Sequence, residues 1–275
     1  KIFIILDATG HMMVDEMGGI PAYTIIKAEL VRILVGLNPT VLFNIAVYGG
    51  GDYTLFPSLV PASAANVDKV KQWLAPLNAV KKRMGDTDYG AKTLGEGGFR
   101  ITGNNRIEPL KGNVEWWARP AMRAMKQQAD AVFLLTCSWG TLSYGVEVGE
   151  KKAWSEAKVS RWRTYVEKAR AKHAEENAER AKRGEPPRVI VGGDRGRVSV
   201  YFPDKPHPPD DTRLMRYYNY TVEEIIEALA NMRIKHKPQA VATGSGPGRK
   251  KKQKDNYTLN VINFVRADSS SAGRN

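Results

Sequence analysis

KIFIILDATGHMM, residues 1–13, is the stretch from which this chain is read. Ile2–Leu6 is a continuous apolar, β-branched run that stops at Asp7. An unbroken apolar run fits a strand buried on both faces, as in a parallel sheet covered by helices. A polar loop containing Gly18 and Gly19 follows. Ile25, Ile26, Leu30, Ile33, Leu34 and Leu37 then keep helical spacing, which predicts a helix from about Ala22 to Gly36, closed by Gly36 and Pro39. Val41–Tyr48 reads as a second strand, and Gly49–Gly51 as its turn.

The rest of the chain continues the alternation. Tyr53–Phe56 predicts a short third strand at an antiparallel edge, and Val67–Leu77 a helix with Val70, Trp73, Leu74 and Leu77 inward. Residues 78–111, rich in Gly, Lys and Asn, lack a period and read as a loop insertion. A helix is expected between Val114 and Gln128, starting near Pro120 or kinked there. Ala131–Leu135 is another fully apolar strand. Lys152–Arg183 predicts a long basic helix with Trp154, Trp162, Tyr165, Val166 and Ala169 on one stripe. Its last two turns, poor in apolar surface, should project from the body. Val189–Val191 and Val198–Phe202, around a Gly-rich turn, predict a hairpin. Thr221 and Glu224 form a capping-box pattern before a helix to Met232, and Leu259–Val265 is the last strand.

Strand–helix alternation of this kind predicts an α/β fold: a Rossmann-like three-layer sandwich around a mostly parallel sheet. It is expected to form a single domain over 1–275, with insertions at 78–111, 184–213 and 244–255 and the long basic helix at 152–183. Ligands of such sheets bind at the carboxyl ends of strands where strand order reverses. The loops after Leu6 and Leu135 are therefore the first places to look.

Composition narrows the classes. The chain has 275 residues, 42% hydrophobic and 26% charged. Wholesale disorder, collagen and a disulfide scaffold are excluded. The lone Cys137 excludes an internal disulfide and any multi-cysteine metal site. No apolar stretch approaches the roughly 20 residues of a membrane helix. The chain opens at Lys1 directly into a strand, so it reads as a piece of a longer protein, from which an anchor or export signal could have been removed. The formal charge is +13, unevenly spread: Lys151–Arg188 holds 12 basic and 6 acidic residues, and Arg249, Lys250, Lys251, Lys252 and Lys254 form a second knot beside a Gly/Ser/Pro stretch. A solvated helix face with a mobile loop is one reading. Attraction to an anionic surface, nucleic acid or lipid, is the other.

Four stretches carry a family resemblance: IFIILDATGHMM, GGIPAYTIIKAELVRILVGL, TVLFNIAVYGG and LFPSLVPASAANVDKVKQWLAPLN. Together they resemble a von Willebrand factor A domain, of the bacterial membrane-anchored type. GNVEWWARPAMRAMKQQADAVFLLTCSWG resembles the second half of that family. The resemblance covers roughly residues 1–76 and 112–139. It implies a metal-ion-dependent adhesion site, built from Asp-x-Ser-x-Ser after the first strand, a Thr from a second loop and an Asp after the central strand. Hard oxygen donors of that kind suit Mg²⁺. Here the positions are Asp7, Thr9, His11, Asn113 and Cys137. Asp7 and Thr9 keep acceptable groups, Asn113 is uncertain in register, and His11 and Cys137 depart from the pattern. The implied site is degenerate. Carboxylate, imidazole and thiolate on one rim would instead suit Zn²⁺, whereas a decayed site would simply pack and hydrogen-bond. The resemblance also implies a bacterial envelope location, with membrane anchoring in the full-length protein.

A second class is an enzyme. Asp7-Ala8-Thr9-Gly10-His11 partly resembles the nucleophile loop of haloacid-dehalogenase phosphotransferases. Asp7 would accept the phosphoryl group, Thr136 would bind phosphate, and Asp194 or Asp210 and Asp211 would hold Mg²⁺. The second acid two residues after Asp7 is missing. A Cys137–His11 nucleophile pair is a further option. There is no G-x-x-x-x-G-K-[ST] loop and no nucleophile elbow.

Trp116, Trp117 and Trp139 either fill the core or form a partner-binding rim, since Trp is enriched at binding hot spots. The sequence thus points to a non-catalytic protein-interaction or scaffolding domain. The alternative use of its charge is polyanion binding through Arg161, Arg163, Lys168, Arg249, Lys250, Lys251 and Lys252.

Overall fold

The computed structural model describes residues 1–80, 88–103, 107–111, 117–139, 142–208, 213–237 and 257–265. In chain order the elements are β1 (Ile2–Asp7), α1 (Gly19–Val35), β2 (Leu42–Tyr48), β3 (Asp52–Thr54), β4 (Val60–Pro61), α2 (Ala64–Leu74), β5 (Phe99–Arg100) and α3 (Ala118–Lys126). They continue with β6 (Ala131–Thr136), β7 (Ser143–Glu150), α4 (Glu156–Lys182), α5 (Gly193–Tyr201), β8 (Arg213–Asn219), α6 (Val222–Lys235) and β9 (Thr258–Asn263).

β1 lies at the centre of a seven-stranded sheet of order β5-β3-β2-β1-β6-β9, with β4 also on β2. The β1–β2, β1–β6 and β6–β9 pairs are parallel, and β3, β4 and β5 pair antiparallel. The apolar run of β1 is divided between two faces, as a strand's period of two requires. Ile4 and Leu6 pack with Tyr23, Leu30 and Leu34 of α1 and Val67, Val70 and Trp73 of α2. Phe3 and Ile5 pack with Trp117, Ala121 and Met125 around α3 and with Ile225 and Leu229 of α6. Helices on both sides of a mixed, mostly parallel sheet are the predicted α/β class. Phe3, Ile5 and Leu6 are fully buried, each worth about 1.5–3 kcal/mol of apolar transfer.

α1 turns differently from its predicted stripe. It starts at Gly19, buries Ile20, Tyr23, Lys27, Leu30 and Leu34, and leaves Ile25 and Ile33 exposed. Lys27 belongs on that inner face because its Nζ donates to the carbonyls of Leu74, Ala75 and Leu77 at the end of α2. Burial pushes the Lys27 ammonium below its usual pKa. α3 begins at Ala118, so Pro120 falls in the first turn, where its missing N–H costs nothing. Thr221 and Glu224 close the capping box of α6 reciprocally.

Between β6 and α6 the chain departs most from expectation. β7 and β8 pair antiparallel as a separate ribbon, and α4 and α5 lie between them in sequence. The predicted Val189–Val191/Val198–Phe202 hairpin is replaced by an extended segment and α5. Helical spacing lets Val198, Tyr201 and Phe202 face Trp162, Tyr165, Val166 and Ala169 of α4 in a small core of their own. Nor does the end of α4 project: Arg180 donates to both carboxylate oxygens of Asp15, at 2.6 and 3.2 Å. Val189 joins the main core. The described part of 78–111 is likewise anchored, with β5 extending the sheet edge. The expected insertion at 244–255 lies outside the described residues.

Candidate functional site

β1 is where strand order reverses, with β2 on one side and β6 on the other. This is the crevice where ligands of open α/β sheets bind. Here it is filled by a hydrogen-bonded cluster. The register sets Asp7 opposite Tyr48, and Thr136 ends β6 beside them.

Asp7 is fully buried. Its Oδ1 accepts the Thr9 N–H at 2.8 Å. Its Oδ2 accepts the Thr136 hydroxyl at 3.1 Å, and the Cys137 Sγ lies 3.8 Å from it. A carboxylate only accepts, so the Thr136 proton points to Asp7. The Tyr48 hydroxyl, 2.7 Å from Thr136 Oγ1, must then be a donor. The Ser138 N–H supplies a further donor to Thr136 at 3.0 Å. Burial, and next the Asp7 charge, push the Tyr48 phenol far above its usual pKa, which holds it in the donating form. Tyr23 is raised by the same two causes in the same order and donates to the Asp7 carbonyl at 2.9 Å.

The loops around this cluster are tied together. Ala8 N–H donates to the Tyr48 carbonyl, and Asn78 Nδ2 donates to the Ala8 carbonyl. Asn78 Oδ1 accepts the Gly90 N–H at 2.7 Å, and Ala91 N–H donates to the Gly49 carbonyl at 2.7 Å. Gly49 and Gly90 have φ of +111° and +103°. A Cβ on Gly90 would lie 2.6 Å from the Gly49 oxygen, and one on Gly49 would lie 2.7 Å from the Thr9 nitrogen. Neither position has room for a side chain.

Of the residues expected at a metal, Asp7, Thr9 and Cys137 come together. His11 is exposed in the following turn, Gly10–Met13. Asn113 lies outside the described residues, as do Trp116, Asp210, Asp211 and Arg249–Lys252. Among the described residues no group of three or more His, Cys, Asp or Glu side chains is placed to hold a metal ion. Both Asp7 oxygens accept hydrogen bonds within the fold, and of the expected hard-oxygen donors Asp7 and Thr9 are the ones that come together among the described residues. Asp194, a candidate metal acid, instead sits on α5, where Arg170 binds both its oxygens at 2.9 and 2.7 Å and Arg197 adds a third contact.

Trp117 is fully buried and Trp139 tilts against it, ring centres 5.2 Å apart. Trp117 thus lies in the core, and Trp139, partly buried, packs against that core. Arg161, Arg163 and Lys168 are exposed along α4. Tyr48, Tyr23, Ser138, Asn78 and Gly90 complete the cluster without having been anticipated. Tyr48 had a signal, since a parallel β1–β2 pair sets two strand-ending residues side by side. No helix among the described residues is long and apolar enough to cross a membrane. No family model and no curated protein matches this chain.

Proposed function

We propose that this chain is a non-catalytic protein-binding domain of the von Willebrand factor A type, in which the adhesion metal site has been replaced by a structural hydrogen-bond cluster. The observation that carries this reading is the β7–β8 ribbon. Val146, Val148, Leu214, Tyr217 and Tyr218 stand 41–67% exposed on it. Val222 and Ile226 of the following α6 are exposed as well. The register sets Val146, Leu214 and Tyr218 on one face of the ribbon and Tyr217 on the other, and exposed apolar side chains gathered on one element of a folded domain point to an interaction site. The Asp7 carboxylate supports the non-catalytic part: it is buried, and both its oxygens accept hydrogen bonds from the fold. The envelope location, drawn from the resemblance, belongs to the proposal.

The test is affinity enrichment from source cells with the full chain and with a Val146→Ser/Leu214→Ser/Tyr217→Ser variant. A protein held by the wild type and lost by the equally folded variant supports the reading. Equal capture by both, or a phosphatase activity that disappears in Asp7→Asn, overturns it.

A second reading rests on the charge distribution along α4. Its later half is neutralised internally, with Arg180, Lys182, Arg183 and Arg188 paired to Glu176, Glu179, Glu185 and Asp15. The earlier half sets exposed cations beside rings: Lys158 lies 4.1 Å from the Trp154 ring centre and Lys168 6.0 Å from that of Tyr165. Exposed cations interleaved with aromatics suit a single-stranded polyanion. Such binding should weaken steeply with salt, while ribbon-mediated capture should not.

A further inference from the structure

A cleft remote from the Asp7 cluster has a different chemistry. It lies between α3 and the segment running from β5 to Gly103, with a cavity volume of about 140 Å³. Arg100, Arg119, Arg123 and Lys126 line it, with Met122 and Ile101 also in the wall. The helical residues fall at positions 119, 122, 123 and 126, one face of α3. β5 contributes Arg100 because Phe99 and Arg100 pair with Thr54 and Tyr53 at the sheet edge. Asp52 is the carboxylate that meets this group, through its ion pair with Arg119, and the Arg100 charge also reaches it. Among the described residues around it, four cations face one carboxylate, so positive charge predominates around the cavity. Arg123 gives its Nη2 to the Pro57 carbonyl at 2.7 Å.

We infer that this cleft binds a phosphomonoester. A phosphomonoester carries about −1.5 to −2 charges at neutral pH and three acceptor oxygens, which matches the surplus charge better than a monocarboxylate does. Guanidinium groups bind such oxygens in bidentate fashion. The volume corresponds to about four or five waters at roughly 30 Å³ each, room for a phosphoryl group and its first ester atoms. The inference does not rest on the protein-binding reading, since none of these residues belongs to the ribbon.

Two probes, inorganic phosphate and a short peptide carrying O-phosphoserine, are titrated into the full chain by calorimetry at physiological salt. Four proteins are compared: wild type, Arg100→Gln, Arg123→Gln and Lys69→Gln. Arg100 is exposed, so its variant should fold as the wild type does even where Arg123→Gln is destabilised. Saturable binding that weakens at least about tenfold in Arg100→Gln and is unchanged in Lys69→Gln, a same-sized charge change on the exposed face of α2, is the expected result. Tighter binding of inorganic phosphate identifies a free phosphate ligand, and tighter binding of the peptide a phosphorylated partner segment. Absence of saturable binding by both probes overturns the inference. So does binding indifferent to Arg100→Gln, or weakened equally by Lys69→Gln.

Discussion

Thr136 donates its hydroxyl proton to Asp7 across the β1–β6 pair at 3.1 Å, with both side chains fully buried. Asp7 is thereby committed to the fold. Asp7→Ala would strand the Thr9 N–H and the Thr136 hydroxyl in the interior. At about 1–3 kcal/mol per unsatisfied group, the expected loss of unfolding free energy is about 2–6 kcal/mol. Thr136→Val is itself destabilising, because it also strands the Tyr48 hydroxyl and the Ser138 N–H, but the double variant should lose less than the sum of the two single losses, since the Asp7–Thr136 bond is then lost only once. Urea unfolding of the two single variants and the double variant measures this. Additive losses, or an Asp7→Ala cost below about 1 kcal/mol, would refute the assignment.

The same commitment governs metal response. A cation bound to the folded chain alone raises its unfolding temperature by mass action. Metal-stripped protein should therefore show the same thermal midpoint in millimolar Mg²⁺ or Mn²⁺ and in micromolar Zn²⁺ as in chelator. A rise that disappears in Asp7→Ala would mean the cluster opens to admit a metal after all.

Much of the sheet was legible because its signals are local. Ile2–Leu6, Val41–Tyr48 and Ala131–Leu135 are apolar runs whose double-sided burial shows in the residues themselves. Asp7, Thr9 and Cys137 could be placed together, since strands of one parallel sheet end along one edge. The ribbon escaped because SYGVEVGE pairs with RLMRYYNY across more than sixty residues, and no local turn joins them. The failed hairpin at Val198–Phe202 shows the reverse error. VSVYF alternates like a strand, but Val198, Tyr201 and Phe202 also keep helical spacing, and α4 offers an apolar face only to that second pattern. Lys27 could not be placed for a related reason. What makes a lysine tolerable on the inner face of α1 is a set of carbonyls at the end of another helix.

Gly90 tests how tightly the rim is closed. Its φ of +103° disfavours a side chain, and a Cβ there would sit 2.6 Å from the Gly49 oxygen. Backbone strain of this type costs about 1–3 kcal/mol. Gly90→Ala should destabilise by at least that, since the blocking atom is backbone and cannot rotate away. Gly97→Ala is the control, with φ of +91° but no atom within 4 Å. Equal losses for the two, measured by thermal unfolding, would mean that Gly90 reports backbone conformation alone rather than packing against the β2 turn.

Acid should loosen the helical lobe before the sheet. Hydrogen bonding to Arg170 holds the Asp194 carboxyl below its ordinary 3.8, and hydrogen bonding to Arg183 does the same for Glu185 below 4.5. As pH falls through those ordinary values the unfolded chain takes up protons first, so the lobe loses stability with falling pH, the loss completing below the depressed folded values. Asp52 beneath the sheet edge behaves oppositely. Burial raises its carboxyl and the nearby Arg119 charge only partly offsets that, so the folded chain binds its proton first and acid costs that site nothing. Pepsin digestion between about pH 4 and about pH 2 should therefore cut within Glu156–Tyr201 before it cuts β1, β2 or β6. In an Asp194→Asn variant this lobe cleavage should already be fast at the upper end of that range. Simultaneous cleavage of lobe and sheet, or a variant indistinguishable from wild type at every pH, would show that the Arg170–Asp194 pair does not hold α5 against α4.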